Sequence, residues 1–346
     1  MRADAPRRKL SAQTLAHAMI RGHRRGEAGR RAALLLFVLS GIFATCGASN
    51  SSLFLLDRAV LVTDQAMGAR CAVAADFDGD GRLDLVSASS NDNAVSWFRN
   101  EGLNSAGHLT FGIKQKITWS SLGSRIVTAG DIDQDGDADV IGASYYDSTV
   151  RWFENDGSGA FHSHIVSTGV DEGQGVTVAD LDNDGDLDIA TASSGDNTVA
   201  VFRNLDRGVF CEIKEIVDNE AVGVRTVIAV DVDGDGLLDL ASAAKDDSTI
   251  AWYRNNYTNF EGKTIISAGA ESSGAYSLVA TDIDRDGDQD LIVASNGNDH
   301  VSLWRNNGKV DVRSLIHWMY TDLATAPRIL ILVRAKEITT HNTHLL

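Results

Sequence analysis

Five nearly identical nonapeptides bring carboxylates together at a spacing that suits metal coordination. Aspartate occupies positions 1, 3, 5 and 9 of every copy, and glycine occupies position 6. We number these segments loops 1 to 5. Their sequences are DFDGDGRLD from Asp76, DIDQDGDAD from Asp131, DLDNDGDLD from Asp180, DVDGDGLLD from Asp231 and DIDRDGDQD from Asp282.

Carboxylates this close together repel one another. Two unit charges about 4 Å apart cost roughly 1 kcal/mol in water and roughly 4 kcal/mol at an effective dielectric constant of about 20. A divalent cation among them removes that cost, and Ca²⁺ takes about six to eight oxygen ligands. The sequence therefore predicts about five Ca²⁺ ions, one in each loop.

The predicted ligands are the four carboxylates of each loop together with the backbone carbonyl of position 7. They are Asp76, Asp78, Asp80, Arg82 and Asp84; Asp131, Asp133, Asp135, Asp137 and Asp139; Asp180, Asp182, Asp184, Asp186 and Asp188; Asp231, Asp233, Asp235, Leu237 and Asp239; and Asp282, Asp284, Asp286, Asp288 and Asp290. The alternative is a set of solvated Asp-Gly hairpin turns, which are common in all-β proteins. Because five positions are kept in five copies, the pattern favours metal binding.

The loops differ from the EF-hand, which has a glutamate at position 12 and flanking helices. Position 12 is here Ser87, Gly142, Thr191, Ser242 or Val293. The segments on either side are strand-like, so the sequence excludes an EF-hand.

The loops recur at steps of 55, 49, 51 and 51 residues, a period typical of propellers and repeat arrays. Each unit has an alternating apolar run before the loop, such as CAVAAD, and a second run after it, such as LVSAS. A polar turn, a third run such as VSWFRN and a looser fourth stretch follow. Four short strands per unit predict an all-β fold, a β-propeller of four-stranded blades.

The third run is apolar on both faces, because side chains alternate along a strand. Trp97, Trp152 and Trp252 share one face, while Phe98 and Phe153 share the other. Sheets covered on both sides are what blades packed face to face require. A carbohydrate-binding stripe of aromatic residues is the alternative.

The sequence contains five regular repeats, and the tail after Asn306 holds a strand-like RILILV run. We therefore expect a degenerate or partial sixth blade, and seven blades remain an alternative. The predicted propeller spans residues 49–333, followed by a C-terminal tail at 334–346.

Residues 1–48 are predicted to be a signal peptide or an N-terminal anchor. Arg30 and Arg31 precede the uncharged run AALLLFVLSGIFATC, which small residues follow. The run is short for a membrane span of about 20 residues. We expect a secreted or extracellular protein; a type II membrane anchor is the alternative, and only in that case is the membrane a partner.

The charge of the chain bears on its partners. It has 48 acidic and 31 basic residues, a formal net charge of −17. Nucleic acid is therefore excluded as a partner, because phosphate binding needs a basic footprint. Three cysteines are too few for a disulfide framework, and Cys71 and Cys211 are predicted to be buried free thiols.

The loops and their flanking strands resemble the FG-GAP/VCBS repeats of the integrin α-subunit type of β-propeller, over about residues 53–310. This resemblance implies calcium in the loops that connect strands. It also implies a role for the propeller faces in extracellular adhesion or ligand binding. The FG-GAP dipeptides themselves have their nearest match in TFGIK at 110–114.

We predict a secreted or cell-surface calcium-binding propeller that binds a protein or glycan on one face without catalysis. Six residues before each loop, the repeat should place a ring of side chains on one propeller face, either as a ligand surface or as partners of the acidic loops. Its members are Arg70, Arg125, Gln174, Arg225 and Tyr276.

The alternative function is a polysaccharide or sugar lyase or hydrolase on a calcium-stabilised propeller. Catalysis needs an asymmetric set of polar groups in one pocket. Residues that break the repeat in equivalent turns are the first candidates for such a set: Tyr145, Tyr146, Lys245 and His300.

Overall fold

The computed structural model describes residues 60–118 and 121–308 and the strand at 316–320. The predicted leader at 1–48, the tail at 334–346 and the RILILV run lie outside these residues. Within the described part, the helical structure is one short 3₁₀ turn, Gly269–Ser272. No described helix is long and apolar enough to cross a membrane.

Twenty of the strands form five four-stranded sheets, which we number blades 1 to 5. Blade 1 contains β1 (Ala69–Ala75), β2 (Asp84–Ser89), β3 (Ala94–Phe98) and β6 (Gln115–Thr118), and beside it lies the hairpin of β4 (Asn100–Leu103) and β5 (Leu109–Phe111). Blade 2 contains β7 (Ser124–Gly130), β8 (Asp139–Ser144), β9 (Val150–Asn155) and β10 (Phe161–Ser167). Blade 3 contains β11 (Gly173–Ala179), β12 (Asp188–Ser193), β13 (Thr198–Phe202) and β14 (Glu215–Asp218).

Blade 4 contains β15 (Val224–Val230), β16 (Asp239–Ala244), β17 (Thr249–Tyr253) and β18 (Thr264–Ala268). Blade 5 contains β19 (Ala275–Thr281), β20 (Asp290–Ser295), β21 (His300–Arg305) and β22 (Ile316–Tyr320). In every blade the strands follow one another as an antiparallel meander. The fold is the predicted all-β propeller of four-stranded blades, and part of the tail after Asn306 completes blade 5.

Each loop connects the first strand of its blade to the second. The first strands of successive blades contact one another in order, from β1 through β7, β11 and β15 to β19. We call these five the inner strands. All five loops therefore lie at one end of the inner strands, and the segments that enter these strands lie at the other end.

Neighbouring blades pack face to face through the aromatic residues of the third strands. Ile250 and Trp252 of blade 4 share one core cluster with Leu278 and Leu291 of blade 5. Trp97, Trp152 and Trp252 are between 4% and 6% exposed. The aromatic residues are core, and the alternative of a carbohydrate-binding stripe is wrong.

The two described cysteines are both free, as the sequence predicts. Cys71 and Cys211 are half-buried rather than fully buried. The thiol of Cys71 lies 3.5 Å from the carbonyl oxygen of Val127 in the neighbouring inner strand.

Candidate metal centres

The aspartate at position 1 shapes each loop by accepting hydrogen bonds from the backbone of the loop itself. In loop 1, Oδ2 of Asp76 accepts the amide of Gly81 at 2.7 Å. The same bond is between 3.0 and 3.2 Å long in the other four loops. The glycine at position 6 has φ between +81° and +101°, a left-handed conformation that favours glycine. The aspartate at position 1 and the glycine at position 6 of the DxDxDG pattern therefore form a tight, hydrogen-bonded turn.

The aspartate at position 5 also bonds within the loop. Its Oδ1 accepts the amide of position 7 at 2.9 to 3.1 Å in all five loops, as from Arg82 to Asp80. This bond turns one oxygen of the side chain back onto the chain. Position 5 lies within the converging carboxylate group in loop 3 only, although the same bond to position 7 is present in that loop.

The aspartate at position 9 is the buried member of the loop. Asp84, Asp139, Asp188, Asp239 and Asp290 are all fully buried, each at the first residue of the second strand. Its Oδ1 accepts the amide of the asparagine sixteen residues later, at 2.6 to 2.8 Å. In loops 2 to 5, Oδ2 also accepts the amide of position 2 at 3.0 to 3.2 Å.

Three carboxylates converge in every loop, with one oxygen from each lying within 4.8 Å of the others. Positions 1, 3 and 9 converge in loops 1, 2, 4 and 5, and positions 1, 3 and 5 converge in loop 3. The structure thus brings together fifteen of the predicted ligands. The carbonyls of Arg82, Asp137, Asp186, Leu237 and Asp288 stay predictions, as do the position-5 carboxylates of four loops and the position-9 carboxylate of loop 3.

The carboxylate groups have the properties expected of a site for a hard cation. Oδ1 of Asp78 and Oδ1 of Asp182, both at position 3, are buried without a hydrogen-bond partner. A buried oxygen without a partner is costly unless an ion or a donor satisfies it. All the converging atoms are oxygens, which Ca²⁺ and Mg²⁺ prefer. The residues therefore fit a divalent cation of this class.

Burial raises the pKa values of the position-9 carboxyls in loops 1 to 4. The pKa of Asp139 is raised to about 7, mainly by burial and further by the charge of Asp133. Burial likewise raises the pKa values of Asp188 and Asp239 to about 6. The ionised forms are therefore unfavourable without a counter-charge, which a bound cation supplies.

An arginine supplies part of this counter-charge in four loops, and sequence reasoning missed it. Arg99 pairs with Asp78 and, at 3.2 Å, with Asp80. Arg203 lies 2.9 Å from Asp188, and Arg254 and Arg305 pair with positions 3 and 5 of loops 4 and 5. The signal was present, since each arginine precedes the repeated asparagine. Loop 2 has Glu154 at that place.

In blades 2 to 5, the repeated asparagine ties the loop to the loop of the blade before it. Nδ2 of Asn204 donates to the carbonyl of Ile132, at position 2 of the preceding loop, at 3.0 Å. Asn155, Asn255 and Asn306 make the same bond to the preceding loop at 2.6 to 2.9 Å. These four asparagines are at most 6% exposed. We call this contact the asparagine latch; its constant spacing was visible in the sequence, but its partner was not.

A family model for the FG-GAP-like repeat matches the chain four times, over residues 76–142, 131–191, 183–242 and 231–293. The chain belongs to the FG-GAP-like repeat family. Each FG-GAP-like match ends in the second strand of a blade, and together the four contain all five loops. The comparison with curated proteins found no match.

Proposed function

We propose that this FG-GAP-like repeat protein is an exported, calcium-binding propeller that binds a protein or glycan ligand without catalysing a reaction. The observation that carries the proposal is the convergence of three carboxylates in each of five equivalent loops. The loops lie at one end of the inner strands, so calcium there would fix the connection between the first two strands of each blade. The opposite end is then free to serve as a ligand surface.

Calcium is favoured over other cations by the chemistry of the donors. The loops offer carboxylate and carbonyl oxygens and no histidine or cysteine sulfur, so the site suits a hard ion. Mg²⁺ requires a near-ideal octahedral shell, whereas Ca²⁺ accepts six to eight ligands in flexible geometry. A loop with several carboxylates in a flexible turn therefore favours Ca²⁺.

Titration calorimetry of the metal-free protein tests the metal assignment. We expect about five bound Ca²⁺ ions and weak or no binding of Mg²⁺. The Asp182→Asn variant should lose one site, because this residue places a partnerless buried oxygen in loop 3. Asp206→Asn, at an exposed turn outside the loops, is the matched control. Retention of full stoichiometry by Asp182→Asn would contradict the assignment.

Ligand binding without turnover is tested by parallel assays on the calcium-loaded protein. We expect binding to immobilised glycans or to extracellular proteins, together with unchanged polysaccharide substrates after long incubation. New reducing ends or unsaturated sugar products would instead support the lyase or hydrolase alternative.

Export is tested by N-terminal sequencing of the protein recovered outside the cell. The basic residues, apolar run and small residues predict cleavage near Gly47 or Ala48. A mature chain that begins at Met1 or Met19 would support the uncleaved anchor instead.

A further inference from the structure

At the end of the inner strands opposite the loops, five side chains occupy one equivalent position. Arg70, Arg125, Gln174, Arg225 and Tyr276 are each the second residue of an inner strand. At every one of them the pairing with the second strand of the blade shifts by one residue, which marks a β-bulge. Bulges commonly redirect a side chain next to a functional site. We call these five residues the bulge ring.

The arginines of the bulge ring are not partners of the acidic loops. The carboxylates there pair with arginines of the third strands and, in loop 1, also with Arg82 of the loop itself. Among the described residues, Arg70, Arg125 and Arg225 form no ion pair with a carboxylate within 4.0 Å. Nε of Arg225 is buried without a hydrogen-bond partner. In a chain with a net charge of −17, these guanidinium groups form a positive feature at this end of the inner strands.

Arg125 is held by aromatic residues. Its guanidinium carbon lies 4.6 Å from the centre of the Tyr145 ring. Tyr145 in turn packs edge-on against Tyr146 with 5.0 Å between ring centres, and Tyr146 is 72% exposed. A guanidinium over a ring face keeps its N–H edges available for hydrogen bonds to a ligand.

Arg225 forms a second pair of this kind across the junction of blades 4 and 5. Its guanidinium carbon lies 5.9 Å from the centre of the Tyr276 ring, and Tyr276 is 39% exposed. Oγ1 of Thr226 donates to the carbonyl of Tyr276 at 2.9 Å, which joins the two inner strands at this point.

Glu172 of blade 3 links the two pairs. The hydroxyl of Tyr145 lies near this carboxylate and near Arg125 and Arg225; the pKa of Tyr145 is raised, first by burial and then by Glu172. Glu172 accepts a hydrogen bond from Ser194 at 3.0 Å, and Ser194 accepts one from Gln174 at 2.9 Å. Four consecutive blades thus contribute cationic, aromatic and neutral polar groups, together with the carboxylate of Glu172, to one area.

This combination of groups matches a specific ligand chemistry. A guanidinium fork pairs with a carboxylate through two parallel hydrogen bonds. An exposed tyrosine offers an apolar face with a polar tip, against which the C–H face of a sugar can pack. The serine, glutamine and glutamate groups can exchange hydrogen bonds with hydroxyls. The net negative charge of the chain opposes a polyanion, so an isolated carboxylate on a polyhydroxylated ring fits best.

We propose that Arg125, Arg225, Tyr145 and Tyr276 form a binding site for a uronate-type acidic sugar at the end of a glycan. The guanidinium groups bind the carboxylate, and the tyrosine rings pack against the sugar. This site rests on the ligand-binding function proposed above and names the ligand class for it.

The test uses the full calcium-loaded protein and two trisaccharides that differ only at the end, one with glucuronate and one with glucose. Calorimetry should detect binding of the glucuronate trisaccharide and at least about tenfold weaker binding of the glucose one, because a charge-assisted hydrogen bond is lost. Arg125→Gln and Arg225→Gln should each weaken glucuronate binding about tenfold. Arg207→Gln, at an exposed turn outside the bulge ring, should leave it unchanged.

Tyr276→Ala should weaken binding, whereas Tyr276→Phe should retain it if the ring face makes the contact. The melting temperature and calcium stoichiometry of each variant report whether the fold is intact. Equal binding of the two trisaccharides, full binding by both arginine variants, or tighter binding of an acidic peptide would overturn the site. If neutral glycans or a protein bind instead, only this site fails; if no ligand of any kind binds, the proposed function fails with it.

Discussion

Loop 2 and loop 4 share one hydrogen-bonded backbone and differ in the charges around it. In both, the position-1 carboxylate accepts the amide of the glycine at position 6, at 3.1 Å in loop 2 and 3.0 Å in loop 4. In both, the position-9 carboxylate accepts the amides of the latch asparagine at 2.7 Å and of position 2 at 3.0 Å. These bonds are therefore shared, although Oδ1 of the position-1 carboxylate accepts the amide of position 5 in loop 2 and of position 4 in loop 4.

The charge environment is not the same. Arg254 pairs with Asp233 and Asp235 in loop 4, while loop 2 has Glu154 at the equivalent place and a fifth aspartate, Asp137, at position 7. Glu154 bonds to His164 at 2.7 Å and adds to the charges that raise the pKa of Asp133. Backbone amides therefore set the shape of a loop, whereas the charged residue before the latch asparagine, Arg254 or Glu154, changes the negative charge that a cation must offset.

Removal of calcium should have the largest effect on stability, and loop 2 should respond more strongly than loop 4. Each site saturated at about one hundred times its Kd stabilises the fold by about 2.7 kcal/mol. We expect chelation to lower the melting temperature sharply, with backbone amides of loop 2 exchanging hydrogen faster than those of loop 4. Hydrogen exchange read by mass spectrometry measures this. An unchanged melting transition would contradict the metal sites, and equal exchange would contradict the difference between the loops.

Loss of the asparagine latch should have the next largest effect and should be equal in both blades. Asn155→Ala and Asn255→Ala each leave two carbonyls without a donor, at about 1–3 kcal/mol for each group, so we expect a loss of about 2–6 kcal/mol. Urea unfolding in excess calcium measures it. Asn100→Ala is the matched control, because Nδ2 of Asn100 bonds only to its own loop, at Leu83. A loss as large in Asn100→Ala would show that the bond to the preceding blade contributes little.

Reversing the charge at residue 154 beside loop 2 and at residue 254 beside loop 4 should change the stability of the metal-free protein in opposite directions. Glu154→Arg should stabilise the metal-free protein, and Arg254→Glu should destabilise it, each by about 0.2–1 kcal/mol because these pairs are partly exposed. Thermal unfolding in chelator measures both changes. Glu154→Gln removes the negative charge without adding a positive one. If Glu154→Gln stabilises the metal-free protein as much as Glu154→Arg does, removal of the negative charge alone explains the gain.

The smallest expected difference between loops 2 and 4 is in how strongly their calcium affinity depends on pH. Calcium binds the ionised carboxylate, so protonation competes with the ion. With a pKa of about 7 for Asp139 and about 6 for Asp239, a change from pH 8 to pH 6 should weaken loop 2 about tenfold and loop 4 about twofold. Calorimetry on variants that retain only one of these loops measures both values.

The metal-free protein should show the opposite trend with pH. Burial raises the folded-state pKa of Asp139 above its unfolded value, so its contribution to stability is present at low pH and is lost as pH rises toward about 7. Chelated protein should therefore melt at a higher temperature at pH 5.5 than at pH 7.5. Saturating calcium should reverse the order.

Much of the fold and part of the site could be predicted because their signals are local. The turn at each loop follows from an aspartate at position 1 and a glycine at position 6, and the strands follow from alternating apolar residues. The role of Asp80 as a ligand was harder to judge, since its Oδ1 turns back to the amide of Arg82. A one-dimensional pattern gives the spacing of oxygens along the chain and not the direction in which each one points.

The repeat, the four strands of each blade and the places where negative charge accumulates can be read from the sequence, because each depends on residues a few positions apart. Which groups meet between blades depends on the packing of the folded chain. Asn204 and the carbonyl of Ile132 are 72 residues apart in the chain, and Arg225 of blade 4 lies over the ring of Tyr276 of blade 5. Contacts of this range depend on how the blades pack face to face, and no short stretch of sequence contains that information.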